Sequence, residues 1–153
     1  MSQEATGDLN LRDASLDDAG AMARLMGELG YPTSPAEMKK RLEIILPQAN
    51  FRTFVATMAG EVCGMIGTAA SPSYEHNDQV GRIVALVVSE KARRRGVGRR
   101  LVEWAEKDFA ERVIARIALT TRLSRKEAHK FYEQIGYKQT GYRYVKDLAI
   151  GPA

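Results

Sequence analysis

The sequence has a single cysteine, Cys63, so no disulfide can form within the chain, and a small secreted scaffold held by disulfides is excluded. Its two histidines, His76 and His129, have no second His or Cys at ligand spacing, so no metal site is expected. Long apolar runs are also missing. The longest, Ile83 to Val88, falls far short of the roughly 20 residues that span a bilayer. The first residues, Met-Ser-Gln-Glu-Ala-Thr-Gly-Asp, carry neither a basic n-region nor an apolar h-region. The expectation is a soluble, cytoplasmic protein with no membrane partner. An extreme charge of one sign is absent too, because 23 basic residues stand against 19 acidic ones, for a net charge of +4.

What remains is a chain of 153 residues, the size of one domain, with 44% hydrophobic residues to build a core. Residues 1–8 read as a polar tail and residues 9–150 as a single folded domain. Leu9 to Arg12 alternates like a short strand. Ser15 caps a helix that keeps apolar spacing through Leu16, Ala19, Met22, Ala23 and Met26 and stops at Gly30. Ser34-Pro35-Ala36-Glu37 opens a second helix with a capping box and proline at its first position. Phe51 to Met58 and Val62 to Ala70, joined by Ala59-Gly60-Glu61, read as a hairpin, with Cys63 as an inert core thiol. Arg82 to Ser89 lacks alternation, as a central strand buried on both faces would. A helix from Val97, a strand over Ile117 to Thr121, a helix over Glu127 to Ile135 and a strand-like stretch over Tyr137 to Leu148 complete the order. This is an α/β chain with a central mixed sheet and helices on both faces.

The positive charge is concentrated in one place. Lys91, Arg93, Arg94, Arg95, Arg99 and Arg100 surround Gly96 and Gly98 where a buried strand turns into a helix. The first amides of a helix have no partners within it, and with the dipole they form an anion site that glycines let a phosphate approach. Capture of a pyrophosphate is the economical reading, against a solvated basic helix start. A dinucleotide fingerprint is excluded because Leu101 stands where the third glycine belongs, and the Gly-Lys-Ser/Thr of a Walker A loop is absent. Nucleic-acid binding is the rival, but the cluster is compact and no aromatic residues interleave with it for base stacking.

The pattern Arg-x-x-Gly-x-Gly at Arg93 to Gly98, five residues after a strand valine, resembles the acyl-CoA signature of the GNAT superfamily of N-acyltransferases. The segment Ala128-His129-Lys130-Phe131-Tyr132-Glu133-Gln134-Ile135-Gly136-Tyr137 resembles its second signature. The resemblance extends over residues 9–148. It implies an N-acetyltransferase that takes acetyl-CoA and a primary amine of a small molecule or peptide. It also implies a GNAT-type fold in which the central strand and the next parallel strand splay at a bulge that admits the pantetheine arm.

Carried over position by position, the resemblance assigns the main chain of Leu86, Val87 and Val88 to the pantetheine and acyl group, with the Leu86 amide facing the developing oxyanion. The loop Arg93, Arg94, Arg95, Gly96, Val97, Gly98 and Arg99 would cradle the pyrophosphate, and Ser124 would make a weak cofactor contact. Tyr132 would be the general acid toward the leaving thiolate, as a phenol with a pKa near 10 can be. Positions where relatives carry a strand base hold Arg82 and Val84, so base candidates move to Glu75, His76, Asp78 and Glu28. The acceptor cleft would be lined by Glu28, Leu29, Tyr31 and Pro32, facing Tyr142 and Tyr144, with His76 as a further substrate contact. The missing strand carboxylate keeps a non-catalytic acyl-CoA-binding module as the alternative, and the resemblance leaves a homodimer open.

Overall fold

The computed structural model describes residues 9–121 and 125–151. The chain divides into two compact units, Met1–Leu119 and Thr120–Ala153. In the first unit, β1 (Asn10–Asp13), β2 (Phe51–Met58), β3 (Glu61–Ser71), β4 (Val80–Val88) and β5 (Arg116–Leu119) lie side by side in chain order. The first four are antiparallel and β5 runs parallel to β4. Helices α1 (Ala19–Leu29), α2 (Pro35–Ile45) and α3 (Val97–Glu111) belong to this unit, and α4 (Lys126–Gln134) to the second. The mixed sheet and helical layers are those the sequence predicts.

Local chemistry sets the helix ends. At α2, Ser34 Oγ accepts from the Glu37 amide at 3.1 Å while Glu37 Oε1 accepts from the Ser34 amide at 2.9 Å, with Pro35 first in the helix. Before α1, the buried Asp18 carboxylate takes both guanidinium nitrogens of Arg12 and the Ser15 amide, each at 2.8 Å. The helix then stops at Gly30, whose φ of 105° is the left-handed cap glycine favours.

Two cores flank the sheet. On one face, Met22, Leu25, Met38 and Leu42 from α1 and α2 bury Val55, Met65 and Val87. On the other, α3 lies so close that a Cβ at Gly64 would stand 3.1 Å from Val97 and Leu101 side chains, and one at Gly81 2.7 Å from the Phe109 ring. Neighbouring strand residues face opposite sides, so Phe54, which meets Trp104 edge-on at 6.4 Å, is on the α3 side and Val55 on the other. Among the described residues no helix is long and apolar enough to cross a membrane.

In the second unit, α4 ends at Gly136 (φ 99°), and the Tyr137 amide donates to the Tyr132 carbonyl at 2.9 Å. The strand expected over Tyr137 to Leu148 is not formed. Residues 138–151 have no regular secondary structure, and the side chains of Tyr142, Tyr144, Val145 and Leu148 are exposed. An extended-favouring sequence becomes a strand only when a neighbour takes up its main-chain hydrogen bonds, and composition alone does not supply that neighbour.

Candidate active site

The site begins at an irregularity in β4. Gly67 of β3 faces Ala85 and Thr68 faces Ile83, so Val84 is an extra residue, a β-bulge. The bulge reverses the strand's facing. Gly81 points at Phe109 under α3, while Val87, which would share that side in an unbroken strand, lies in the α1–α2 core.

Within the first unit β5 pairs with β4 only as far as Ile83 and Leu119, where β5 ends. On the other side of β4, the Ser89 amide donates to the Cys63 carbonyl at 2.8 Å, and hydrogen-bonded residues alternate in an antiparallel ladder. Val87 and Ala85 therefore bond toward β3, and the main-chain groups of Leu86 and Val88 face the other side of β4, beyond its pairing with β5. Both residues are half-buried. This edge can accept one further extended chain carrying amides and carbonyls. The Val88 carbonyl accepts a long 3.4 Å bond from Arg93 Nε.

A second feature follows directly. After a 3₁₀ turn over Glu90–Ala92, the chain reverses through Arg94 and Gly96, with φ of 66° and 77°, and enters α3 at Val97. Left-handed backbone at a non-glycine costs about 1 kcal/mol or more, so the loop holds a strained shape at Arg94. No side chain caps α3. Its first helical bond runs from the Arg100 amide to the Gly96 carbonyl at 3.0 Å, which leaves the Val97, Gly98 and Arg99 amides ahead of it directed out of the helix end. Around them Arg93, Arg94, Arg95, Arg99 and Arg100 are exposed. Arg95 reaches Met58 Sδ at 3.6 Å, and Arg99 pairs with Glu103 at 3.4 Å. Such a cluster of amides at the positive end of a helix, ringed by guanidinium groups, has the chemistry that suits a phosphate-bearing anion.

The other residues singled out from the sequence are distributed unevenly. Glu28, in the last turn of α1, reaches the β4 exit, where Oε1 accepts from the Glu90 amide at 2.8 Å. Tyr31, half exposed, follows the helix cap, and its amide donates to the Met26 carbonyl at 2.9 Å. His76 is elsewhere. Its amide and that of Glu75 donate to Ser73 Oγ at 3.1 Å, and it lines a shallow cleft with Asp78 and Arg116 where β4 begins. At about 3.3 Å per residue, Val80 is roughly 20 Å along the strand from Leu86. Val84 and Arg82 are exposed and offer no base. Cys63 is buried, and burial pushes its thiol up, away from nucleophilic use. Ser124 lies outside the described residues.

Tyr132, in α4, is half-buried between two edge-on rings, Phe131 at 5.2 Å and Tyr137 at 5.8 Å. Burial pushes its phenol above the ordinary tyrosine range, against a smaller opposing effect from Arg125. It is protonated throughout the physiological range. Sequence reasoning missed the Glu28–Glu90 link, which joins residues 62 positions apart with no pattern between them, and the Arg93–Val88 bond, although their spacing is part of the motif.

A mixed sheet whose bulged strand runs into an arginine-ringed helix start agrees with the fold expected from the sequence. Residues 21–137 match the family model described as the Acetyltransferase (GNAT) family, and the chain belongs to that family of acyltransferases. It is 31% identical over 143 residues, 90% of each chain, to an aminoalkylphosphonate N-acetyltransferase of Salmonella typhimurium. It is 30% identical to an uncharacterized N-acetyltransferase of Chlorobaculum tepidum, covering 90% of this chain and 80% of that one. The fold is shared with a GNAT family acetyltransferase of Staphylococcus aureus, with a TM-score of 0.80, 24% identity and coverage of 92% and 99%.

Proposed function

We propose that this protein transfers an acetyl group from acetyl-CoA to the primary amine of a small molecule, and that an aminoalkylphosphonate is the first acceptor to test. The donor reading is carried by the main-chain edge of Leu86 and Val88 leading into the uncapped start of α3. The residues fit such a donor. The edge suits an amide-bearing arm, and the helix amides with their arginines suit a diphosphate. The acceptor class is borrowed from the Salmonella relative and combines an amine with an anionic group.

In this reading the Leu86 amide donates to the acyl oxygen as negative charge gathers on it. Tyr132 Oη hydrogen-bonds to the departing sulfur or gives it a proton, for which a phenol kept neutral by burial is suited. With Val84 and Arg82 on the strand, no side chain there takes the ammonium proton. The amine reacts in its neutral form or loses its proton to water.

Release of free CoA thiol in the presence of an amine panel tests this. Tyr132→Phe is expected to lower kcat about 100-fold or more while leaving CoA affinity within about twofold. Wild-type kcat/KM is expected to rise with pH toward the acceptor's own pKa, and Tyr132 imposes no falling limb below about pH 10. Tight CoA binding with no transfer to any amine would point instead to a binding module.

A further inference from the structure

We propose that Glu28 is a positioning residue that clamps the exit of β4, and not a ligand for the acceptor amine. The proposal rests on the acyl-CoA reading above. Glu28 Oε1 accepts the Glu90 amide at 2.8 Å across 62 residues of sequence. Glu90 opens the 3₁₀ turn whose cap residue, Ser89, makes no side-chain capping bond. Glu28 thus supplies, from another element, an acceptor for the first amide of that turn, which has no partner within the turn itself.

Its place in α1 would otherwise be a poor one for an acid. The last helical turn exposes carbonyls and the negative end of the dipole, and no basic residue stands in that turn. The bond to Glu90 offsets that cost. The two elements are also held by a shared core: Met22 and Leu25 of α1 are buried with Val87 of β4, and Leu29 packs against them. Glu28 therefore bridges two ends whose relative position is already fixed by packing.

The bridge controls what comes next. Glu90 is two residues beyond Val88, whose main chain faces away from β3. Ala92 is buried, and its amide donates to the Ser89 carbonyl at 2.9 Å, so the turn is anchored at both ends. From it the chain makes the left-handed reversal at Arg94 and Gly96 that aims the α3 amides. Freeing Glu90 loosens the start of that reversal and the Val88 carbonyl together.

Calorimetric titration of the full chain with CoA tests the assignment, using Glu28→Ala and Glu28→Gln. Glutamine keeps an oxygen acceptor without the charge. Glu28→Ala is expected to weaken CoA binding by about 3- to 10-fold, the range of one lost hydrogen bond. Glu28→Gln is expected to stay within about twofold of wild type, with KM for an aminoalkylphosphonate unchanged in both. Unaltered CoA affinity in Glu28→Ala overturns the proposal. So does an equal rise in amine KM in both variants at constant CoA affinity, the signature of an amine ligand. Hydrogen exchange at the Glu90 amide of wild-type protein gives a readout without any variant: slowed exchange is expected, and exchange at the rate of an open loop contradicts the clamp. If wild type fails to bind CoA, the acyl-CoA reading falls, and Glu90 exchange still judges the contact itself.

Discussion

Asp18 is an acid placed where burial should penalise its charge, yet its pKa is held below the usual carboxylate range, first by the two bonds from Arg12 and then by the Ser15 amide. The native carboxyl is more acidic than the unfolded one. Its contribution is therefore complete above the unfolded value near 4 and is lost as pH falls through the native value. Because Arg12 is half exposed, solvent screens part of the attraction. Asp18→Asn is expected to cost about 1–3 kcal/mol at pH 7, read from denaturant unfolding, with the gap to wild type closing below about pH 4. A gap that stays constant through that range would contradict this account. At this scale, legibility follows sequence separation. The Ser34–Glu37 box was readable because its partners stand three residues apart on one helix turn. Glu28 was noticed as an acid near the site, but nothing local told that its partner would be the Glu90 amide, and its expected role as an amine contact came from the cleft position the resemblance implies, with its charge in support.

Among the elements, β4 illustrates how one extra residue organises function. Residues Arg82 to Ser89 read as a central strand buried on both faces; β4 does lie inside the sheet, between β3 and β5, but Arg82 and Val84 are exposed. The unbroken apolar run does not disclose that Val84 is the bulged residue, since Val84 and its neighbours are equally good strand formers. The bulge is a property of register, set by β3 on one side and the short β5 on the other. The same element explains Gly81, whose need for hydrogen in place of a side chain comes from α3. A Cβ there would lie 2.7–2.9 Å from three carbons of the fully buried Phe109 ring. Gly81→Ala is expected to destabilise the protein by about 1–3 kcal/mol through overpacking. Gly67→Ala, whose Cβ would meet neighbours at 3.5–3.9 Å, should change stability little. Chemical denaturation of both separates steric exclusion by α3 from a general intolerance of alanine in the sheet. Equal losses would argue for the latter.

For the whole molecule, apolar periodicity and turn chemistry were enough to give the element order as far as α4, because caps, turn residues and apolar spacing mark each of those elements in its own residues. The Tyr137 to Leu148 stretch marks the limit, since strand formation depends on a partner elsewhere in the chain. The candidate anion site was proposed from the strand–turn–helix context of Gly96 and Gly98, and the structure adds the helix start without a side-chain cap and the main-chain edge at Leu86 and Val88. The central claim is that these main-chain groups grip the acyl donor. Amide chemical shifts of ¹⁵N-labelled protein, followed as CoA is titrated, test it most directly. The account predicts that the Leu86, Val88, Val97, Gly98 and Arg99 amides shift together and saturate at one affinity, while those around His76 stay still. Saturable CoA binding that leaves those five amides unmoved would contradict it.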